Sequence, residues 1–453
     1  MLSAVAASAA DIEIPAPENP ATGIWIQQIG DIVPHAATKA TLYYTKFRQS
    51  DRVKSISYQY DGAGYLLMKP SDKKTLCTTS DGMVGADGIA HHPDGDLLVA
   101  AQGPNIHKVS KTAKDSNKVC LIKTSKPHQD QKTEGFWHLM MDPKGDWLWA
   151  SGIPGYLYRF STVKDSTISS FGSTGYKVEL DAKGPRRKDD KLTTLIWDGE
   201  GHAFFTYSDY KGGGCEKITN NDFAYCSDDE KKKQNAKAYF GIITDTTWTT
   251  VTNANKSTIG GKVGEKVITK LSTKIVIDSL EGAHGGAYDP YSKTIFVFGG
   301  ARIVQIRPYF SMHGDKSVFD SAKVVATIDM RKYFFLETFA NMPKPRTQDG
   351  SSINDWIGWR LDQGTTDGYG HLFVASNTGH MVFVDYAANP NKLINDNVLV
   401  HVQWVDNFLD DLAPLSGVGV VREGGHTSED EEISSDSQSS SSLVEYHERS
   451  EHV

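Results

Sequence analysis

The chain is predicted to be all-β, a six-bladed β-propeller, and three observations predict it. First, a short turn rich in Asp, Pro and Gly recurs six times between apolar runs. The copies are YDGAGYLLM at Asp61, HPDGDLLVA at His92 and Asp94, DPKGDWLWA at Asp142, DGEGHAFFTY at Asp198, DPYSKTIFVF at Asp289 and DGYGHLFVA at Asp367. Glycine supplies positive φ and aspartate caps the turn, so each copy reads as a β-hairpin. Second, the composition suits many short strands and tight turns, with 10% aromatic residues and 41 Gly. Third, a hairpin unit repeated at intervals of several tens of residues, with strand signals between, is the pattern of a propeller. The uneven intervals imply enlarged loops between blades.

Taken in order, residues 1–20 read as a signal remnant and lead-in. The stretch LSAVAASAA is small and apolar with an A-x-A-like end, which suits the tail of a secretory signal without its basic start. Residues 21–421 hold the propeller. IWIQQI from Ile24 alternates as a strand and is expected to help close the ring. The units then run Thr41–Met68, Asp87–Val109, Glu134–Phe160, Lys191–Tyr207, Leu280–Ile306 and Trp359–Tyr386. Each offers runs of four to eight residues, apolar enough to be buried on both faces of stacked sheets. Two polar insertions interrupt them, Ser208–Gly264 and Met330–Asp355, and loops of that length in a compact domain are expected to be lids or unstructured. The cluster Tyr333, Phe334, Phe335 and Phe339 in the second suggests a short helix. LVHVQWVDNFLDDLAPL supplies a last strand and a helical turn. Residues 422–453 are acidic and Ser-rich with no core-forming pattern, and read as a disordered tail.

Charge and cysteine content narrow the function classes. The net charge of −8 and the lack of a basic stripe argue against a nucleic-acid partner. No apolar run is long enough to span a membrane as a helix. The four cysteines lie in polar, loop-like sequence, and none has the spacing of a metal site. They read either as the pairs Cys77–Cys120 and Cys215–Cys226, which with the sequon at Asn255 suits a secretory route, or as four unrelated free thiols.

Candidate chemistry follows from the blade pattern. The innermost strand of a propeller blade lines the channel, and the segment before each turn is the candidate for it. Eight residues ahead of the turn residue stand Glu134, Asp190 and Glu281; five ahead stand Asp87 and Asp362. Trp137, His138, His284, Trp359 and Arg360 lie nearby. Acids with two histidines suit a divalent metal or general acid/base work; the plain alternative is that they cap strand ends. Glu281 and His284 stand out because E-G-A-H-G-G sets them among glycines, where backbone is bared to a ligand. In YSDYKGGGC, Tyr210 and Lys211 precede a triple-glycine hinge, and read either as a mobile lip donating hydrogen bonds or as solvated loop. His284, Glu281, Tyr210 and Lys211 are the candidate catalytic set. Trp137, His138, Glu134, Trp359, Arg360 and Asp362 are the candidate substrate contacts.

DGIAHHPDGDLLVA resembles a repeat of the six-bladed gluconolactonase and strictosidine-synthase-like group, but the chain lacks that group's metal-bearing E-G-P-x-W and P-N-G-x-x-x-S-P-D segments. WIQQIG at Trp25, EGFWHLMMDP at Glu134, FFTYSDYKGGGC at Phe204, LEGAHGGAYDPYS at Leu280 and DQGTTDGYGHLFVASNTGHMVFVDYAANP at Asp362 are similar to the fungal hetero-Diels–Alderases of tropolone-sesquiterpenoid pathways. That likeness runs from about residue 22 to 420. It implies a cyclase with no cofactor, joining a polyketide-derived quinone methide to a sesquiterpene, both small hydrophobic substrates. Such a reaction needs an apolar cavity that holds both partners in register, a donor on the quinone oxygen and a lid against water.

Three functions therefore stand: that cyclase, a lactonase or esterase using Ca²⁺ or Zn²⁺, and a non-catalytic secreted propeller that binds a small molecule or protein. A site lined by aromatics points to the first, one floored by three or more carboxylates to the second, and a channel plugged by its own side chains to the third.

Overall fold

The computed structural model describes residues 24–27, 39–46, 51–60, 66–68, 72–83, 85–93, 95–101, 103, 105–109, 123–125, 135–152, 156–162, 175–183, 190–209, 237–281, 283–299, 302–330, 361–376, 379–395, 398–406 and 409–416. All lie in one compact unit, Met1–Arg422; a second unit, Glu423–Val453, lies outside the described residues.

Strand β1 (Ile24–Gln27) is followed by β2 (Lys39–Lys46), β3 (Asp51–Tyr60), β4 (Leu66–Met68) and β5 (Lys74–Thr78) of blade one. Blade two is β6 (Ile89–His91), β7 (Leu97–Ala100), β8 (Ile106–Val109) and β9 (Lys123–Ser125). Blade three is β10 (Phe136–Met141), β11 (Trp147–Gly152), β12 (Tyr156–Ser161) and β13 (Tyr176–Lys183). Blade four is β14 (Asp190–Trp197), β15 (Ala203–Asp209), β16 (Lys237–Thr250) and β17 (Lys266–Glu281). Blade five is β18 (Gly285–Asp289), β19 (Thr294–Gly299), β20 (Arg302–His313) and β21 (Lys316–Asp329). Blade six is β22 (Leu361–Thr366), β23 (His371–Ser376), β24 (His380–Asp385) and β25 (Leu399–Trp404). The last strand, β26 (Leu409–Leu412), returns to pair with β2 as the innermost strand of blade one.

The ring closes because each strand serves two interfaces. Successive side chains on a strand point to opposite faces. Leu97 and Val99 thus pack toward blade one, and Leu98 and Ala100 toward blade three. Ile295 and Val297 likewise face blade four, while Phe296 and Phe298 face blade six. Six buried apolar clusters result, one between each pair of neighbouring blades, including blade six against blade one. This is the predicted six-bladed propeller.

Closure is doubled. β1 adds to the outer edge of blade six through β25, as the alternation of IWIQ suggested. The expected helical turn in VDNFLDDL is instead strand β26. That changes the meaning of the turn at Asp61. In blades two to six the repeated turn joins the two innermost strands. In blade one it joins β3 to β4, because the innermost strand arrives from the far end of the sequence.

Two further expectations are corrected. The segment Ser208–Gly264 is not one long loop. Lys237–Thr250 and Lys266–Glu281 form an antiparallel pair, and both are rich in β-branched Thr, Ile and Val. Between them lies a short helix, α1 (Lys256–Ile259). In addition, blades three and four share one eight-stranded sheet, since β13 pairs parallel with β17, from Glu179↔Lys270 to Lys183↔Lys274. Buried Arg159 secures this join by donating from Nε to Ile268 O at 2.9 Å and from Nη2 to Ile259 O at 2.5 Å. The second insertion beyond Met330, with its aromatic cluster, lies outside the described residues.

The turns work as their composition implies. In DGEGH, Asp198 Oδ1 accepts from the N–H groups of Glu200 and His202, and Oδ2 meets His202 Nδ1 at 2.6 Å. DGYGH repeats this with Asp367, Tyr369 and His371. Gly201 and Gly370 take φ of 105° and 98°, where a side chain would be strained. Asp289 caps Tyr291 and Ser292 and also accepts from Tyr386 Oη at 2.7 Å. These carboxylates are committed to structure, as expected for Asp198 and Asp289.

Candidate functional site

Inner strands β6, β10, β14, β18, β22 and β26 stand around the channel and all begin at the same end, the upper mouth. Their first residues converge there. Asp87 precedes β6, Trp137 and His138 open β10, His284 precedes β18, Asp362 is second in β22, and Asp410 and Asp411 sit in β26. Glycines permit the approach. Gly88 donates its N–H to Trp137 O at 2.6 Å, and a Cβ on it would lie 2.6 Å from His138 Cα.

The side chains form a connected chain. His138 Nδ1 and Asp411 Oδ2 form a hydrogen bond of 2.6 Å. His138 Nε2 faces His284 Nδ1 at 3.2 Å, with the rings edge to face. His284 Nδ1 in turn pairs with Asp362 Oδ1. Behind them, Asp87, Asp410 and Asp411 each bring a carboxyl oxygen within 4.8 Å of the others. His138 is further fixed by its own N–H, which donates to Ser151 Oγ at 3.1 Å. The edge of Trp137 packs against His284, with ring centres 5.7 Å apart. His138, Asp362, Asp410 and Asp411 are buried, whereas His284 keeps 15% of its side chain exposed. His284 is therefore where this buried network meets the channel.

Burial divides the carboxyls by partner. It pushes Asp87, Asp410 and Asp411 well up, and their mutual repulsion and that of Asp362 add to the effect. Burial would also raise Asp362, but the charge and hydrogen bond of His284, with His138 behind, hold it well below the usual carboxylate range. The mouth accordingly sets one acid whose pKa is held down beside His284, over three whose pKa values are pushed up.

The donor set suits a divalent metal. His138, His284 and Asp362 each offer one ligand atom, and these lie within 4.8 Å of one another. His138 is held through Nδ1 by Asp411 and turns Nε2 toward His284, the carboxylate-backed arrangement usual for a metal-binding histidine. Asp87, Asp410 and Asp411 make a second group, of oxygens only.

Of the residues singled out from sequence, the structure brings together Trp137, His138, His284, Asp362 and Asp87. Glu281 ends β17, the outermost strand of blade four, and its side chain lies outside the described residues. Asp190 opens β14 opposite Asp209, and its side chain lies outside the described residues. Glu134, Tyr210, Lys211, Trp359 and Arg360 lie outside the described residues. So do Cys120, Cys215 and Cys226, while Cys77 is buried on β5, so neither predicted pairing is described. Asn255 precedes α1, where its Oδ1 accepts from Thr252 N and its Nδ2 donates to Thr250 O. Sequence reasoning missed Asp410 and Asp411. Their signal was two adjacent acids inside the apolar run NFLDDLAPL.

No family model matches the chain, and no curated protein sequence matches it. Among solved structures it is similar to the β-propeller domain of Cps50 (Swd1) from Myceliophteria thermophila, at 8% identity and a TM-score of 0.36 over 85% of this chain and 92% of that one. It is also similar to regucalcin, a calcium-binding protein from Agrobacterium tumefaciens, at 10% identity and a TM-score of 0.34 over 68% and 72% of the two chains. A third is Sqt1 from Chaetomium thermophilum, solved bound to the N-terminus of ribosomal protein L10, at 10% identity and 0.32 over 82% and 72%. Likenesses this remote say nothing of substrate; the sheet order itself defines the propeller.

Proposed function

We propose that the chain is an enzyme whose reaction centre is the His138–His284–Asp362–Asp411 cluster at the upper mouth, and that it hydrolyses a small ester or lactone with a divalent metal. The convergence of two imidazoles and a carboxylate over a floor of further carboxyls carries this reading. His138, His284 and Asp362 would hold the metal, which would polarise the carbonyl and acidify a bound water. Asp411 fixes the tautomer of His138. Trp137 forms a wall against which an apolar part of the substrate can rest.

The cyclase reading keeps one observation of its own. His284 is the accessible group of the cluster, is paired with Asp362, and lies against Trp137. An imidazole paired with a carboxylate through one nitrogen, beside an aromatic face, can offer its other ring N–H to a quinone oxygen. Tyr210 and Lys211 would then belong to the lid. On either reading, the secretory route suggested by the sequence is part of the proposal.

Two measurements separate the readings. Metal analysis of the purified protein is paired with turnover of an ester and lactone panel, with and without chelator. Hydrolysis that chelator abolishes and Zn²⁺ restores supports the first. Turnover of a quinone methide with an apolar sesquiterpene, unaffected by chelator, would replace it with the second. In both cases His284→Ala should lower turnover on the order of ten- to a thousandfold with folding intact. A fully active His284→Ala would misplace the site.

A further inference from the structure

We infer that Asp87, Asp410 and Asp411 form a cation site of their own, suited to a hard, oxygen-seeking divalent ion of the calcium class. Three observations carry it. The three carboxyls each present an oxygen, and these lie within 4.8 Å of one another. Calcium–oxygen bonds of about 2.3–2.6 Å let ligands on opposite sides of one ion stand up to about 5 Å apart, so the three are spaced to share one ion after a small inward adjustment. Second, Asp411 is 1% exposed, and while its Oδ2 meets His138 Nδ1, its Oδ1 is buried with no hydrogen-bond partner among the described residues. A buried carboxylate oxygen without a donor is costly, and a cation is one remedy. Third, the group contains no nitrogen or sulfur donor, which favours calcium, magnesium or manganese over zinc.

The placement gives such an ion a task. Asp410 and Asp411 belong to β26, which closes the ring from the end of the chain; Asp87 leads into the first strand of blade two. Thr45 of blade one already bridges them, donating from Oγ1 to Asp87 O at 2.6 Å and accepting from Asp411 N at 3.1 Å. An ion held by the three carboxylates would tie the closing strand to the neighbouring blade directly beneath His138. This requires only the oxygen group, and it stands whether or not His138, His284 and Asp362 bind a metal.

The test melts the full-length protein in EDTA and then with excess CaCl₂ or ZnCl₂, as wild type, Asp87→Asn and His284→Ala. Ca²⁺ is expected to raise the wild-type midpoint by about 5 °C at saturation. The same rise is expected in His284→Ala, and none in Asp87→Asn. The Zn²⁺ response should show the reverse dependence, and its absence would count against the hydrolase proposal alone. No Ca²⁺ response in the wild type, or an equal one in Asp87→Asn, overturns the inference. Should Asp87→Asn not fold, equilibrium dialysis of the wild type with radioactive calcium under excess zinc decides. One retained ion per chain supports the site, and none refutes it.

Discussion

Gly88→Ala should damage both the fold and the site through one added methyl group. The new Cβ would stand 2.6 Å from His138 Cα, Leu139 N and Trp137 O, all backbone atoms that cannot swing aside. Carbon contacts need about 3.5 Å, so blade two must retreat from blade three by about 0.9 Å. Overpacking of this kind costs about 1–3 kcal/mol. The retreat also stretches the 2.6 Å bond from Gly88 N to Trp137 O, worth about 1 kcal/mol. The sum is about 2–4 kcal/mol of stability, read by denaturant unfolding with tryptophan fluorescence. The control is Gly103→Ala, where nothing lies within 4 Å of the added carbon. A loss below about 1 kcal/mol, or one no larger than the control's, would refute the view that inner strands β6 and β10 meet without slack.

Other outcomes follow from the charges. Burial opposes protonation of His371, but the Asp367 hydrogen bond and nearby carboxylates win and raise its pKa above 6.5. A raised folded value means that its stabilisation is full below about pH 6.5 and lost as pH rises through the folded value; His371→Gln should flatten that part of the stability–pH curve. Asp406 is 8% exposed and held by Lys46, Lys54 and Lys73. Burial would raise its pKa, but Lys46 and Lys54 bring it from 3.8 to about 2. Its contribution, about 2 kcal/mol, is present above pH 3.8 and fades as pH falls through about 2. Asp406→Asn should cost about 3–5 kcal/mol near neutrality by stranding Lys46, which is 1% exposed; a neutral result in urea titration would deny the cluster its structural role. All four cysteines should resist thiol labelling in unfolded protein until reductant is added; immediate labelling would exclude both predicted disulfides.

The sequence by itself determined the repeat. The turn aspartates, the glycines at positive φ and the apolar runs between them are local features, and local geometry reads them directly. They specified strands, inner-strand identity in five blades, and with it the placing of His138, His284, Asp87 and Asp362 near one mouth. Tertiary structure decided what depends on pairing at long range. That β26 rather than a helical turn closes blade one rests on its partner β2, more than three hundred residues earlier. That Thr- and Lys-rich sequence after Ala236 is strand rests on β16 pairing β17, since polar alternation gains stability only when a partner supplies hydrogen bonds. Glu281 and His284 are three residues apart, yet one ends an outer strand while the other faces the channel. Asp410 and Asp411 lay unnoticed in an apolar run, because a buried acid declares its role only through the groups folded against it: His138, Asp362 and Asp87, contributed by three other blades.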